Sequence, residues 1–402
     1  MVLGLLLLVL AAVATSSGSW NKYDACQRVK PPGHRQTDGC PEGTIYVSQN
    51  DGAAAFTNVQ SAVESFPDDL SHSIILIAPG MYKGLVNVTR KGPVTLLGQY
   101  VLPTINLVTI WDDQFVTEPP PAQDDAQTAV LIVAPTFNAS LIGMGTVGFP
   151  LQPEFGNADF KAYHIDFRNL AVRHIIQQRR VLTYCSSIHD ISYANASFYG
   201  CNFASYQDTW YMGRNASTYV KGGTIYGETD YVFGFGAAYV LSDMWTRGCL
   251  RCTFANRGCG GALVAWKGTN QSDPTGTTPI APGNHYGAYI SNSQIIRSPD
   301  ANTTLDLTGK CYLGRPWNDD ATTLILRTYM DDTINATGFI PFSGRPQVIL
   351  NTTYYAEYGS YGPGGNTSQR ASADHVLDSA QAAMFTIPKV FGGWPDWIDY
   401  NY

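Results

Sequence analysis

The chain has 402 residues, 44% of them hydrophobic, with 39 glycines and 23 prolines. That is ample for a large core, and β architectures of this length commonly form one unit. A net charge of −7 with no Lys/Arg-rich run argues against a nucleic-acid partner, whose phosphates demand a basic face.

The first element is an apolar run at residues 2–14, too short to cross a bilayer as a helix. Ala12-Val13-Ala14 gives a small-x-small cleavage pattern, so residues 1–14 read as a secretory signal peptide and the protein as extracellular. A buried terminal strand or helix is the alternative, because Lys and Arg are missing ahead of the run. Asn-x-Ser/Thr sequons at Asn87, Asn138, Asn195, Asn215, Asn270, Asn302, Asn335, Asn351 and Asn366 suit a secreted glycoprotein. Eight cysteines, all beyond residue 14, favour disulfides in an oxidising compartment. Cys26 and Cys40 form a plausible local staple. Cys249 and Cys252 look like half a zinc site, but a second Cys pair or nearby His is missing, so disulfides or buried thiols are the preferred reading.

Residues 15–42 are polar and rich in Pro and Gly, and read as an ordered N-terminal arm. Val59, Ala62, Val63 and Phe66 then recur at helical spacing, with Thr57 as candidate N-cap and Pro67 as stop. From Ile74 onward the pattern changes to short apolar strands such as SIILIAPG, ASFYGCNF, AAYVLSDM and TTLILRTYM, punctuated by Gly, Asn and Pro. The unit recurs at roughly 20–25 residues, which suggests a solenoid. The expected fold is all-β: a single-stranded right-handed parallel β-helix with short capping helices, one domain over 43–399. A β-propeller is the second choice. DSAQAAMF at 378–385 reads as a further short helix capped by Asp378 or Ser379. Gly143, Gly145 and Gly148 fit a dinucleotide fingerprint, but Phe149, Pro150 and Pro153 stand where its helix should begin, so a glycine-rich turn is preferred.

Two isolated acids interrupt this pattern. Asp208, in SYQDTWY, sits beside Gln207 among Tyr206, Trp210 and Tyr211; Asp230, in ETDYVFGFG, follows 22 residues later. One coil of a β-helix would stack them at roughly 4.8 Å, the inter-strand spacing. Two carboxylates that close do not ionise equally, which supplies one acid and one nucleophile or base. Two Asp capping separate turns is the competing reading.

Here the chain resembles the pectin methylesterases (pectinesterases). YQDTWY is similar to their QDTLY, DYVFG to DFIFG, and LGRPW at 313–317 is unchanged. DGAAAFTNVQSAVESFP and YAEYGSYGPGGNTSQR resemble their opening and closing motifs, in the same order. The resemblance spans about 43–398. It implies a right-handed parallel β-helix that hydrolyses the methyl esters of homogalacturonan, releases methanol and needs no metal or other cofactor. By position it implies that Asp230 is the nucleophile and Asp208 the acid and base. Gln207 would donate to the oxyanion, and Arg315 would hold Asp230 charged and aimed. Trp317, Tyr211 and Phe233 would pack against the sugar. For Trp210 and Tyr231, a surface platform and interior stacking stay open; for Trp317 the platform is favoured.

The likeness has gaps. The family's other glutamine, in QAVAL, lies 22 residues before the Gln of QDT, and the same count from Gln207 lands on Cys185. A thiol is a weak donor, so one oxyanion donor is missing unless Gln177 or Gln178 is displaced into its place. GMYKG puts Gly84 for a Glu, VAWKG puts Trp266 for a Gln, and Thr229 replaces a Val. The first reading is therefore an active secreted esterase, expected to be a monomer that binds methylated homogalacturonan but neither nucleic acid nor membrane. The alternative is a catalytically impaired relative that binds pectin. A glycosidase using the same acids fits less well, since inverting enzymes need carboxyls about 6.5–9.5 Å apart. A serine esterase lacks its G-x-S-x-G. The acidic balance further suggests weak affinity for the anionic product and work at mildly acidic pH.

Overall fold

The computed structural model describes residues 22–116, 124–142, 154–171, 188–242, 252–268, 286–342, 348–350 and 352–402. Its strands pair in parallel in three sheets of 11, 8 and 7 strands, called here the long, middle and site sheets. From Ser73 to Pro316 each coil visits all three. Ser217–Lys221 lies in the long sheet, Gly223–Gly227 in the middle sheet and Val232–Gly234 in the site sheet; Ala237–Leu241 then returns to the long sheet one coil on. This is the expected right-handed parallel β-helix and not a propeller.

Period-2 alternation builds the stack. Ala162, Phe198, Val220, Val240, Ile290 and Ile325 pair in register along the long sheet and belong to one interior core. Burying each large member contributes about 1.5–3 kcal/mol. One residue earlier, Tyr219, Tyr239 and Tyr289 form a column on the opposite face. Residues after Val376 fold back over that face. Ile387, Val390, Trp397 and Ile398 pack with the tyrosines, the Tyr163 hydroxyl meets Asp399 at 2.8 Å, and the Ser197 hydroxyl donates to the Trp397 carbonyl.

The helix expected near 57–66 forms at Val59–Glu64, and its buried Val59, Ala62 and Val63 pack on the core. Its cap is Asn58 and not Thr57: the Asn58 carboxamide accepts from the Ser61 amide at 3.1 Å, within reach only from the residue adjoining the first turn. The later helix is Ser379–Ala382, with Asp378 as cap and Gln381 closing a capping box. Cys26 bonds Cys40, and Cys259 bonds Cys311. Cys201 and Cys252 are buried free thiols, each pushed up to about 12 by burial. The signal-peptide run, the glycine fingerprint at 143–148, and Cys249, Cys185, Gln177 and Gln178 lie outside the described residues. Among the described residues no helix is long and apolar enough to cross a membrane.

Candidate active site

The outer face of the site sheet carries one column of side chains: Asp190, Tyr211, Phe233, Ala265 and Arg315, each paired with the next. The site lies beside this column, where the chain turns into the strands Trp210–Met212 and Val232–Gly234. Gln207 bridges Thr229 in parallel, so Asp208 and Asp230 are neighbours in register on successive coils. Both have left-handed backbones, with φ of 53° and 47°. Asp and Asn tolerate that region better than other residues with a side chain. The repeated turn therefore places two short carboxylates in equivalent positions. The turn-capping and chemical readings of these acids are thus not exclusive: Asp230 also accepts the Ala262 amide at 3.2 Å.

Arg315 reaches Asp230 from two coils away. Its Nε donates to Oδ1 at 2.8 Å and to Oδ2 at 3.0 Å, and its Nη2 donates to Oδ2 as well. Two small residues clear the path. Ala265 separates Arg315 from Phe233 in the column. A Cβ on Gly261 would sit 2.9 Å from Thr229 Cγ2, 3.0 Å from Asp230 Oδ1 and 3.2 Å from Arg315 Nη2. The guanidinium also lies over the Phe342 ring, 4.4 Å from its centroid. A nearly buried, multidentate Arg–carboxylate pair fixes both side chains. Asp208 is more open, and Gln207 Nε2 donates to its Oδ2 at 3.2 Å.

These groups line a cleft of about 220 Å³ whose other walls include Asp125, Phe233, Trp317 and Phe342. Trp317 stands 6.0 Å from Phe233 and 6.4 Å from Phe235 between centroids, with Lys267 Nζ 3.8 Å from its own. The cleft thus joins an oriented carboxylate, a second, more accessible carboxylate, an amide donor and flat apolar walls. That set can attack a carbonyl, protonate a leaving group and hold a sugar ring.

A pectinesterase family model matches residues 160–393. The chain belongs to the pectinesterase family. It is 28% identical over 363 residues to the Arabidopsis thaliana protein called probable pectinesterase/pectinesterase inhibitor 7, covering 88% of this chain and 52% of that one. The chain therefore spans about half the length of that curated relative. The fold is shared with the pectin methylesterase of Aspergillus niger in deglycosylated form, at 23% identity and a TM-score of 0.63, over 90% of this chain and 98% of that one. It is shared equally with a pectin methylesterase in complex with hexasaccharide VII, at 20% identity and a TM-score of 0.63, over 87% of this chain and 98% of that one.

Of the seven site residues singled out in the sequence, Gln207, Asp208, Asp230, Arg315, Phe233 and Trp317 line this cleft. Tyr211 is the exception. It is 1% exposed and packs 4.9 Å from Phe233, so it supports the aromatic wall from below and offers no face to a ligand. Trp210 and Tyr231 are interior residues; the Tyr231 hydroxyl donates to Asn256 Oδ1 inside the coil. Asp125, Phe342, Gly261 and Ala265 were missed. The glycine run before the strand Ala262–Trp266 was the available signal for a close approach. The spacing behind the Cys185 comparison also changes. His189 pairs with Trp210, 21 residues on, while Asn195 pairs with Ser217, 22 residues on. The turn between those strands is one residue shorter in the earlier coil, so a count of 22 does not carry across the site sheet.

Proposed function

We propose that the protein is a secreted, monomeric pectin methylesterase, working without cofactor on methylated homogalacturonan. The observation that supports this best is the Arg315–Asp230 pair beside Gln207 and Asp208 in an aromatic cleft. In this reading an Asp230 oxygen attacks the ester carbonyl carbon, and the tetrahedral oxyanion accepts from Gln207 Nε2. The carbon–methoxy bond breaks as Asp208 gives its proton to the departing methanol. An acyl anhydride on Asp230 remains, dividing one hard step into two. Asp208, now ionised, takes a proton from water as the water oxygen attacks that anhydride. The product leaves as the carboxylic acid, which gives its proton to solvent, and Asp230 and protonated Asp208 return. Arg315 holds Asp230 aimed throughout. Trp317 and Phe233 present faces to the galacturonate ring.

Asp125 adds a third carboxylate to the cleft lining. With the net charge of −7 it disfavours the anionic product and any neighbouring free galacturonate. One observation favours the alternative of a slow or purely binding relative: among the described residues, Gln207 is the single side-chain amide lining the cleft. Methanol release from highly methylated pectin, followed from acid to mildly alkaline pH, decides between them. Release by the native chain supports the esterase. A folded but inactive native chain that still binds pectin supports the alternative.

A further inference from the structure

A second, larger groove of about 500 Å³ lies away from the catalytic residues, where the C-terminal segment crosses the start of the long-sheet strands. Its walls include Phe391 and Trp394 of the C-terminal segment together with Phe155, Asn195, Asn215 and Ser217. Trp394 is 67% exposed and makes an edge contact with Tyr400. The glycines preceding it, Gly392 and Gly393, have φ of 72° and 155°, and a Cβ on Gly393 would meet no atom within 4 Å. The backbone thus turns a large apolar ring outward into an open polar groove. Burial does not explain this. An exposed indole face is suited to the apolar C–H face of a sugar.

Two sequons meet in this groove, and the structure separates them. Asn195-Ala-Ser197 is already engaged: Asn195 Nδ2 donates to the Ala158 carbonyl, and the Ser197 hydroxyl is buried against the Trp397 carbonyl. Asn215-Ala-Ser217 is open. Asn215 sits in a left-handed turn, φ 48°, with its backbone amide held by the Tyr286 hydroxyl. Its side-chain amide makes no hydrogen bond among the described residues, and both Asn215 and Ser217 line the groove.

We propose that Asn215 is an N-glycosylation site and that the first sugars of its glycan lie in this groove against Trp394, clamping the C-terminal segment onto the long sheet. The transfer uses a lipid-pyrophosphate oligosaccharide as donor. A bond forms between Asn215 Nδ2 and the sugar's anomeric carbon, the bond from that carbon to the pyrophosphate oxygen breaks, and Nδ2 loses one proton. The inference draws on the secretory reading and is independent of the esterase chemistry.

The test is to send the full chain through the secretory pathway of a eukaryotic host behind that host's leader. Asn215 occupancy is read by glycopeptide mass spectrometry. Thermal midpoints are then compared for Trp394→Ala in the glycosylated protein and in an Asn215→Gln background. We expect Asn215 to be occupied, with Trp394→Ala lowering the midpoint by about 1–2 °C only when the glycan is present. Enzymatic removal of the glycan from the folded protein should be several-fold faster in Trp394→Ala. An unmodified Asn215 overturns the proposal. So does an occupied Asn215 whose glycan is indifferent to Trp394. Loss of pectin retention on Trp394→Ala in unglycosylated protein would assign the groove to polysaccharide instead, and also overturns it.

Discussion

The outer faces of the long sheet and the site sheet use the same device to opposite ends. On the long sheet, Tyr219, Tyr239 and Tyr289 stand in register, and Tyr163 stacks 4.6 Å from Tyr199. The C-terminal segment covers them, so the stacking serves cohesion alone. On the site sheet, Tyr211, Phe233 and Trp317 also climb from coil to coil, but the upper rings border an open cleft containing Asp208, Asp230 and Arg315. An aromatic ladder is therefore not by itself a binding surface. What distinguishes the two faces is cover, together with the charged groups that small residues admit between the rings.

Substitutions should separate the faces. The largest effect on stability is expected from Tyr199→Ala, which removes a fully buried ring from the covered ladder. It should cost about 3–5 kcal/mol in denaturant unfolding and leave the pH profile of activity unchanged in protein that remains folded. On the open face, Gln207→Ala should lower kcat by about 10²–10³, or roughly 3–4 kcal/mol, with the unfolding midpoint nearly unmoved. Equal losses of stability in both variants would erase the distinction.

A strand of the site sheet sharpens the comparison further. His189 lies wholly buried among Phe198, Phe203 and Trp210, and burial lowers its pKa from 6.5 to about 3. The folded state keeps the ring neutral, while the unfolded chain takes up a proton below about pH 6.5. Stability from this group is thus complete above that value and is lost as pH falls toward 3. Adjacent Asp190 tilts the other way: burial raises its pKa well above 3.8, so its neutral form disfavours folding as pH rises. His189→Leu should make the fall in stability between pH 6.5 and 4 smaller by about 3 kcal/mol, as read from urea midpoints at each pH. An unchanged slope would show that His189 is protonated in the fold.

Smaller effects test the path of Arg315. Gly261→Ala places a methyl group against Thr229, Asp230 and Arg315. We expect about a tenfold loss in kcat/KM, from misalignment of the pair. Trp317→Ala should raise KM several-fold, about 1 kcal/mol, and change kcat less, as expected of a sugar platform.

The coil repeat, the helices near 59 and 379, and the stacking of Asp208 on Asp230 could all be read from the sequence, because each leaves a periodic or local signature. Arg315 came from a motif and not from spacing, since it acts from two coils away. Gly261 and Ala265 were invisible because they act by leaving room. Asp125 and Phe342 reach the cleft from other segments of the chain. Tyr211 was misplaced for a related reason: alternation puts it on the outer face, but only the packing of Phe233 above it shows that this face is covered there.

The most direct test concerns Asp230 itself. Purified Asp230→Ala protein would be assayed for methanol release and, in parallel, titrated with a methylated oligogalacturonide. The account expects binding within several-fold of the native chain and methanol release reduced by about 10⁴ or more. Turnover within tenfold of the native rate would contradict it, because the attacking oxygen would then have to come from another group.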